Sequence, residues 1–254
     1  MTDASPETQP SFASLDACLD WVGPRLRDAH AARLDSGHPD DMPWWPAGFA
    51  RERGERAFEI AVGAVLTQNT NWRNVERALA NLDEADALDA ATIHSMADAT
   101  LAELIRPSGF FRIKAGRLKA LSAAWETAGG YPVLAEWETA ALRDWLLAVY
   151  GVGRETADDI LLYGFGRPVW VIDAYTRRLV GRLGFEEIAA RPYDRLAEEL
   201  LAHTPEPTAE RLAEWHGLIV EHAKAHCRVK PACDHCPLRP GCRHGREAVG
   251  ASRG

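Results

Sequence analysis

Leu142, Trp145, Leu146 and Val149 recur at three- and four-residue intervals, and after an interruption at Tyr150-Gly151-Val152-Gly153 the same spacing resumes at Ala157, Ile160, Leu161 and Gly164. Apolar positions at that interval share one face of a helix, so residues 142–164 predict a helix, a tight hairpin and a second helix, with Thr139 placed as the N-cap. Upstream, residues 57–66 are apolar almost all round, the pattern of a helix buried at the centre of a domain. Leu66-Thr67-Gln68-Asn69-Thr70 ends that run, and a helix over 71–82 follows with Trp72, Val75, Leu79 and Leu82 facing inward. Further helices are expected over 14–34, where Pro24 should make a break, and over 90–97 and 98–106, closed by Pro107. Leu118, Leu121 and Trp125 make a stripe on the next helix, which Gly129-Gly130 ends. After Asp173 come helices over 174–183, 193–203 and 208–226, the last with Leu212, Trp215, Ile219, His222 and His226 in one row; these histidines read as packing or capping groups. No stretch carries a useful strand signal, so the fold class is all-α.

With 254 residues and 46% hydrophobic content the chain can bury one large core or two small ones. No apolar run is long enough to span a bilayer and the polar N-terminus lacks a signal pattern, which points to a soluble cytoplasmic protein with a loose tail over residues 1–13. Cys18 reads as a small buried hydrophobe. The loop over 35–48 holds Trp44-Trp45, for which core packing is the default.

A formal charge of −8 argues against unspecific adsorption to nucleic acid. Local charge points the other way. Residues 106–119 carry five basic side chains and no acidic one, and residues 227–254 carry six basic against two acidic. Gly151 and Gly153 offer the positive φ and close approach that a hairpin needs, and they leave backbone N–H groups bare at the start of the second helix, an anion site suited to a DNA phosphate. Arg154 and Thr156 follow directly; Arg112 and Lys114 in one basic run, and Arg228 and Lys230 in the other, are further candidate contacts to DNA.

Cys227, Cys233, Cys236 and Cys242 stand as C-x5-C-x2-C-x5-C within sixteen residues. Four thiolates so close in a cytoplasmic chain mean metal, since a disulfide there would be reduced. Zinc and an iron–sulfur cluster both accept four cysteines, and spacing alone slightly favours zinc.

The hairpin followed one helix later by Asp173 resembles the helix-hairpin-helix of the endonuclease III superfamily of DNA glycosylases, and the resemblance covers residues 51–242. It implies two α-helical domains flanking a DNA-binding cleft: residues 51–167 as a six-helix barrel domain, and residues 14–50 with 168–254 as a cluster domain. Asp173 matches the superfamily's catalytic aspartate, and Gln68 matches a glutamine that enters the duplex beside the lesion. The four cysteines match a C-terminal [4Fe-4S] cluster spaced C-x6-C-x2-C-x5-C, which shifts the metal from zinc to [4Fe-4S] although the first loop here is one residue shorter. Leu-Thr-Gln-Asn-Thr and Pro107-Ser108-Gly109-Phe110-Phe111-Arg112-Ile113-Lys114-Ala115 look closest to the branch that removes alkylated purines.

One departure is informative. Endonuclease III has a lysine nucleophile in a Gly-x-Gly-x-Lys-Thr-Ala frame, and this chain has Glu155 there. An acid cannot form the Schiff base through which a lysine leads to strand cleavage. The resemblance therefore implies a monofunctional, monomeric base excision repair glycosylase acting on duplex DNA with a damaged base or abasic site, with Asp173 and Glu155 as catalytic carboxylates and water as nucleophile. Two rivals remain: an endonuclease III-like lyase for oxidised pyrimidines that uses another amine, and a lesion-binding protein whose chemistry has been lost.

Overall fold

The structure, a computed structural model, describes residues 12–31, 49 and 52–250. Trp44 and Trp45, the tail before Phe12 and the end of the first expected helix lie outside the described residues. Among the described residues every regular element is helical, and no helix is long and apolar enough to cross a membrane.

The described residues form two compact units. The first comprises residues 12–31, Trp170–Pro207 and 214–250; the second comprises residues 49, 52–169 and Thr208–Ala213. The turn of helix at 208–213 thus counts with the second unit, which neighbouring positions in sequence do not suggest.

The second unit is built around helix α2 (Arg53–Thr67), whose residues 57–66 are all buried. A surface apolar almost all round, Glu59 apart, needs neighbours on every side, and α3 (Trp72–Glu84), α6 (Phe111–Thr127) and α9 (Arg154–Asp159) pack against it. Between α3 and α6 run α4 (Ala90–Ser95) and α5 (Asp98–Leu104), then a 3-10 turn at Arg106–Ser108 that contains Pro107. Asn71 and Asp89 cap α3 and α4 by accepting the N–H groups of Asn74 and Thr92. Gly129 and Gly130, at φ 90° and 72°, end α6 as expected, and a short α7 (Tyr131–Leu134) leads to α8 (Thr139–Ala148). The N-cap of α8 is Glu138, and Thr139 is its first helical residue. Helix α9 continues into a π turn at Ile160–Gly164, where a Cβ on Gly164 would lie 3.4 Å from the carbonyl oxygen of Ala57.

In the first unit α1 (Leu15–Ala29) is capped by Ser14, and it runs through Pro24 without ending. Pro24 is exposed, so the carbonyl that loses its partner faces water, and the expected break does not occur. Leu15, Cys18, Leu19, Val22 and Leu26 form its buried stripe, and burial pushes the Cys18 thiol up to about 12, which leaves it inert. The remaining helices are α10 (Ala174–Leu183), α11 (Glu186–Ala189), α12 (Tyr193–Ala202), α13 (Ala209–Ala225) and α14 (Arg243–Gly250). The first three long ones match the apolar periodicity; α11 and α14 are too short and too polar to show it.

Candidate functional site

The hairpin in the second unit is held by buried contacts on both sides of its turn. Val149 and Val152 are buried, the N–H of Val152 donates to the carbonyl of Val149 at 3.1 Å, and Gly151 takes φ 87°. Arg143 on α8 grips the carboxylate of Asp158 on α9 through two hydrogen bonds of 2.7 and 3.0 Å, and Asp158 is 2% exposed. A paired, buried carboxylate of this kind fixes how two short helices meet. Gly153 differs from the expectation: its φ is −94° and it serves as the N-cap of α9. Its value lies in bareness, because a Cβ there would meet nothing within 4 Å and the first N–H groups of α9 have no capping side chain.

Three side chains expected to reach DNA are instead turned toward the protein. Lys114 is 1% exposed, and its Nζ donates to the carbonyls of Leu66 and Ser108 at 2.7 Å each. Burial, and to a lesser degree the nearby Arg117 guanidinium, lower its ammonium to about 8. Lys114 is therefore a buried tie between the end of α2 and the turn before α6, and its assignment as a DNA contact is corrected. Thr156 is buried and its hydroxyl accepts from Gln68 Nε2 at 2.9 Å, so its side chain is not a DNA contact either. Gln68 also donates from Nε2 to the carbonyl of Gly151 at 3.0 Å, and its Oε1 accepts from Arg117 Nη1.

Arg117 was not singled out by the sequence. Its stem occupies the space a Cβ on Gly151 would need, with Cγ 2.2 Å from that position. The signal was available, since Arg117 falls one turn beyond Lys114 in the same basic run. Other members of that run are engaged at the surface: Lys119 pairs with Asp98 at 2.7 Å and Arg106 with Glu103 at 2.8 Å. Arg112 and Arg154 are exposed, as are the aromatic rings of Phe110 and Tyr150, each about two-thirds accessible. Glu155 is exposed in the first turn of α9.

In the first unit the extended segment Trp170-Val171-Ile172 is buried and delivers Asp173 to the start of α10. Trp170 Nε1 donates to the hydroxyl of Thr204 at 2.9 Å, and the N–H of Ile172 donates to the phenolic oxygen of Tyr193 at 3.1 Å. Asp173 is the N-cap, as its position predicts: Oδ1 accepts from the N–H of Thr176 at 2.7 Å. Oδ2 faces His216 Nε2 at 3.7 Å. Burial alone would raise this carboxyl; His216 and the Thr176 N–H outweigh it and hold the group below the usual carboxylate value. Asp173 is thus ionised at neutral pH. His216 was missed because the row read on α13 passed through Trp215, although His216 lies at helical spacing from Leu212 and Ile219.

The four cysteines line one cavity together with Leu179, Arg182, His222, Pro231 and Leu238. Cys227 and Cys242 are buried, and Arg182 Nη1 donates to Cys227 Sγ at 3.2 Å. Among the described residues no group of three or more His, Cys, Asp or Glu side chains is arranged to hold a single metal ion. His222 packs between His30 and His226, and burial drives its imidazole down to about 3, consistent with a packing role. Arg228 and Lys230 are exposed on this loop. Asp173 and the cysteines stand in the first unit, Glu155 and the hairpin in the second.

A helical hairpin with a bare N-terminus, an ionised N-cap aspartate one helix later and a four-cysteine loop define a DNA-repair architecture. Residues 62–206 match the model of the HhH-GPD superfamily of base excision DNA repair proteins, and the chain belongs to that superfamily. A protein of Methanocaldococcus jannaschii named as a DNA repair glycosylase is 44% identical over 194 residues, 75% of this chain and 84% of the relative. The 3-methyladenine DNA glycosylase of Helicobacter pylori, solved with 1,N6-ethenoadenine, is 31% identical with TM-score 0.64, covering 79% of this chain and 95% of that one. The likeness to the alkylpurine branch therefore stands. A non-covalent endonuclease III–DNA complex superposes with TM-score 0.73 at 21% identity over 93% of this chain and 99% of that one, and shows the shared fold.

Proposed function

We propose that this base excision repair protein is a monofunctional DNA glycosylase that removes N-alkylated purines from duplex DNA with water as nucleophile, acting as a cytoplasmic monomer. The observation that carries the reading is Glu155 in the sequence position where the superfamily's lyases keep an amine, while Asp173 in the other unit is ionised and pinned at one oxygen. As the N-glycosidic bond breaks, its electron pair leaves with the base and positive charge grows on the deoxyribose. Asp173 stabilises that charge. Water then adds its oxygen to C1′, and its proton passes to the Asp173 carboxylate.

N3- or N7-alkylated purines already carry positive charge, so they depart without an acid. The Helicobacter relative bears the name of such a substrate. The bare N–H groups of the hairpin and the exposed Arg112, Arg154, Arg228 and Lys230 suit the DNA backbone. Tyr150 and Phe110, exposed in the second unit, are available to stack on bases.

Cys227, Cys233, Cys236 and Cys242 would hold a [4Fe-4S] cluster. All four thiols line one cavity, as a cluster held by four cysteines requires. When bound, such a cluster supplies a covalent staple for the loop that carries Arg228 and Lys230.

The deciding experiment is base release from duplexes that each carry one alkylated, oxidised, deaminated or mismatched base, with borohydride trapping in parallel. Release of the alkylated purine with no trapped adduct is expected, and Glu155→Lys should create a trappable one. A strong wild-type adduct on oxidised-pyrimidine DNA would refute the water mechanism. Anaerobically purified protein should be yellow-brown with about four irons per chain; colourless, zinc-loaded protein would remove the cluster from the account.

A further inference from the structure

Oδ1 of Asp173 is committed to capping α10, so whatever this carboxylate does for a substrate falls to Oδ2. The group that faces Oδ2 is His216. Their side chains are 11% and 13% exposed, and Nε2 lies 3.7 Å from Oδ2. That is a few tenths of an ångström beyond hydrogen-bond length, and catalytic hydrogen bonds are often long before the substrate is bound.

The register of His216 is set by packing rather than by chance. Its neighbour Trp215 meets Trp170 edge-on, with ring centroids 5.9 Å apart and an interplanar angle of 84°. On its other side Trp215 lies over Gly23 of α1, where a Cβ would come within 2.5 Å of the indole. Trp170 stands three residues before Asp173 and is itself fixed to Thr204. Trp215 thereby locks α13 against the segment that carries the aspartate, and His216 is delivered to Oδ2.

We propose that His216 is a positioning residue: it donates from Nε2 to Oδ2 of Asp173 and fixes the direction in which that oxygen confronts the sugar and the attacking water. Both the imidazolium and the neutral Nε2–H tautomer donate there, so the role does not depend on which is present. A carboxylate held at one oxygen alone still swings about its C–C bonds, and a displacement of about 1 Å from a productive geometry costs on the order of 100-fold in rate. Lowering of the carboxyl by His216 agrees with this contact but adds charge control to it. The inference rests on Asp173 being the carboxylate that acts at the deoxyribose, and the test separates the two.

Base release is measured under single-turnover conditions on a duplex with one 7-methylguanine, alongside affinity for a duplex with a tetrahydrofuran abasic analogue. His216→Ala should slow release tenfold to a hundredfold while affinity stays within twofold, a split that general loosening of the fold would not give. His216→Gln, whose amide can still donate, should recover release to within about threefold of wild type. Release by His216→Ala within twofold of wild type, while Asp173→Asn is inactive, overturns the role of His216 and leaves the role of Asp173 intact. Equal slowing by His216→Ala and His216→Gln also overturns it, because packing and not donation would then be at work. Wild-type release from Asp173→Asn removes the underlying reading itself, and the inference with it.

Discussion

The hairpin of the second unit and the Asp173 segment of the first use polar groups in opposite ways. At the hairpin the polar side chains turn inward: Lys114 binds the carbonyls of Leu66 and Ser108, Thr156 accepts from Gln68, and Gln68 joins Gly151 to Arg117. No side chain caps the first turn of α9, and backbone N–H groups at a helix start suit a phosphate regardless of sequence. At Asp173 the backbone is covered and a charged side chain is kept, one oxygen tied down and the other faced by His216. A repair enzyme must grip DNA anywhere and act at one atom, and under the proposed function the two regions would divide these tasks.

The largest expected effect lies at the second region. Asp173→Asn keeps an acceptor for the Thr176 N–H and the size of the side chain while it removes the charge. If that charge stabilises the developing cation, base release from the alkylated duplex should fall by at least about 1000-fold, roughly 4 kcal/mol of transition-state stabilisation. Affinity for the abasic-analogue duplex should change little. Loss of affinity in step with rate would mean that Asp173 holds the fold and does no chemistry.

Lys114→Met tests the first region. A buried carbonyl left without its donor costs about 1–3 kcal/mol, and Lys114 serves two, while removing a buried charge returns part of that. A net loss of about 2 kcal/mol in urea unfolding is expected. The salt dependence of DNA binding should be unchanged, whereas loss of a true phosphate contact would reduce its slope by about one. A shallower slope with normal stability would restore Lys114 as a DNA contact. Thr156→Val is milder: it removes one partly buried acceptor from Gln68, whose Nε2 retains Gly151, and about 1 kcal/mol should be lost.

Periodicity made the helices legible, because burial on one face of a helix leaves a three- and four-residue signal whatever the partner is. It located α2, the hairpin and the helix that begins after Asp173. The direction of long polar side chains left no such signal. Lys114 sits at an inward position of α6 by spacing, four residues before Leu118, yet charge argued for the surface; only the carbonyls of Leu66 and Ser108, far away in sequence, explain its burial. Pro24 was misread for a related reason, since the helix tolerates it on its exposed face, where the carbonyl it orphans can be hydrated. Arg117 and His216 act on partners 49 and 43 residues away, Gln68 and Asp173, and no local pattern encodes such pairings.

The smallest effect concerns acid. The Asp173 carboxyl is held below 3.8 in the folded chain because His216 and the Thr176 N–H outweigh burial. A carboxyl depressed on folding contributes stability that is present above its unfolded value and is lost as pH falls through its folded value. Asp173→Asn has no such proton to take up. The difference in thermal midpoint between wild type and Asp173→Asn should therefore be flat from pH 7 to pH 5 and move against the wild type below about pH 4. Had burial won, acid would favour the wild type instead, and a shift in that direction would show that the contacts of Asp173 in the first unit do not keep it charged.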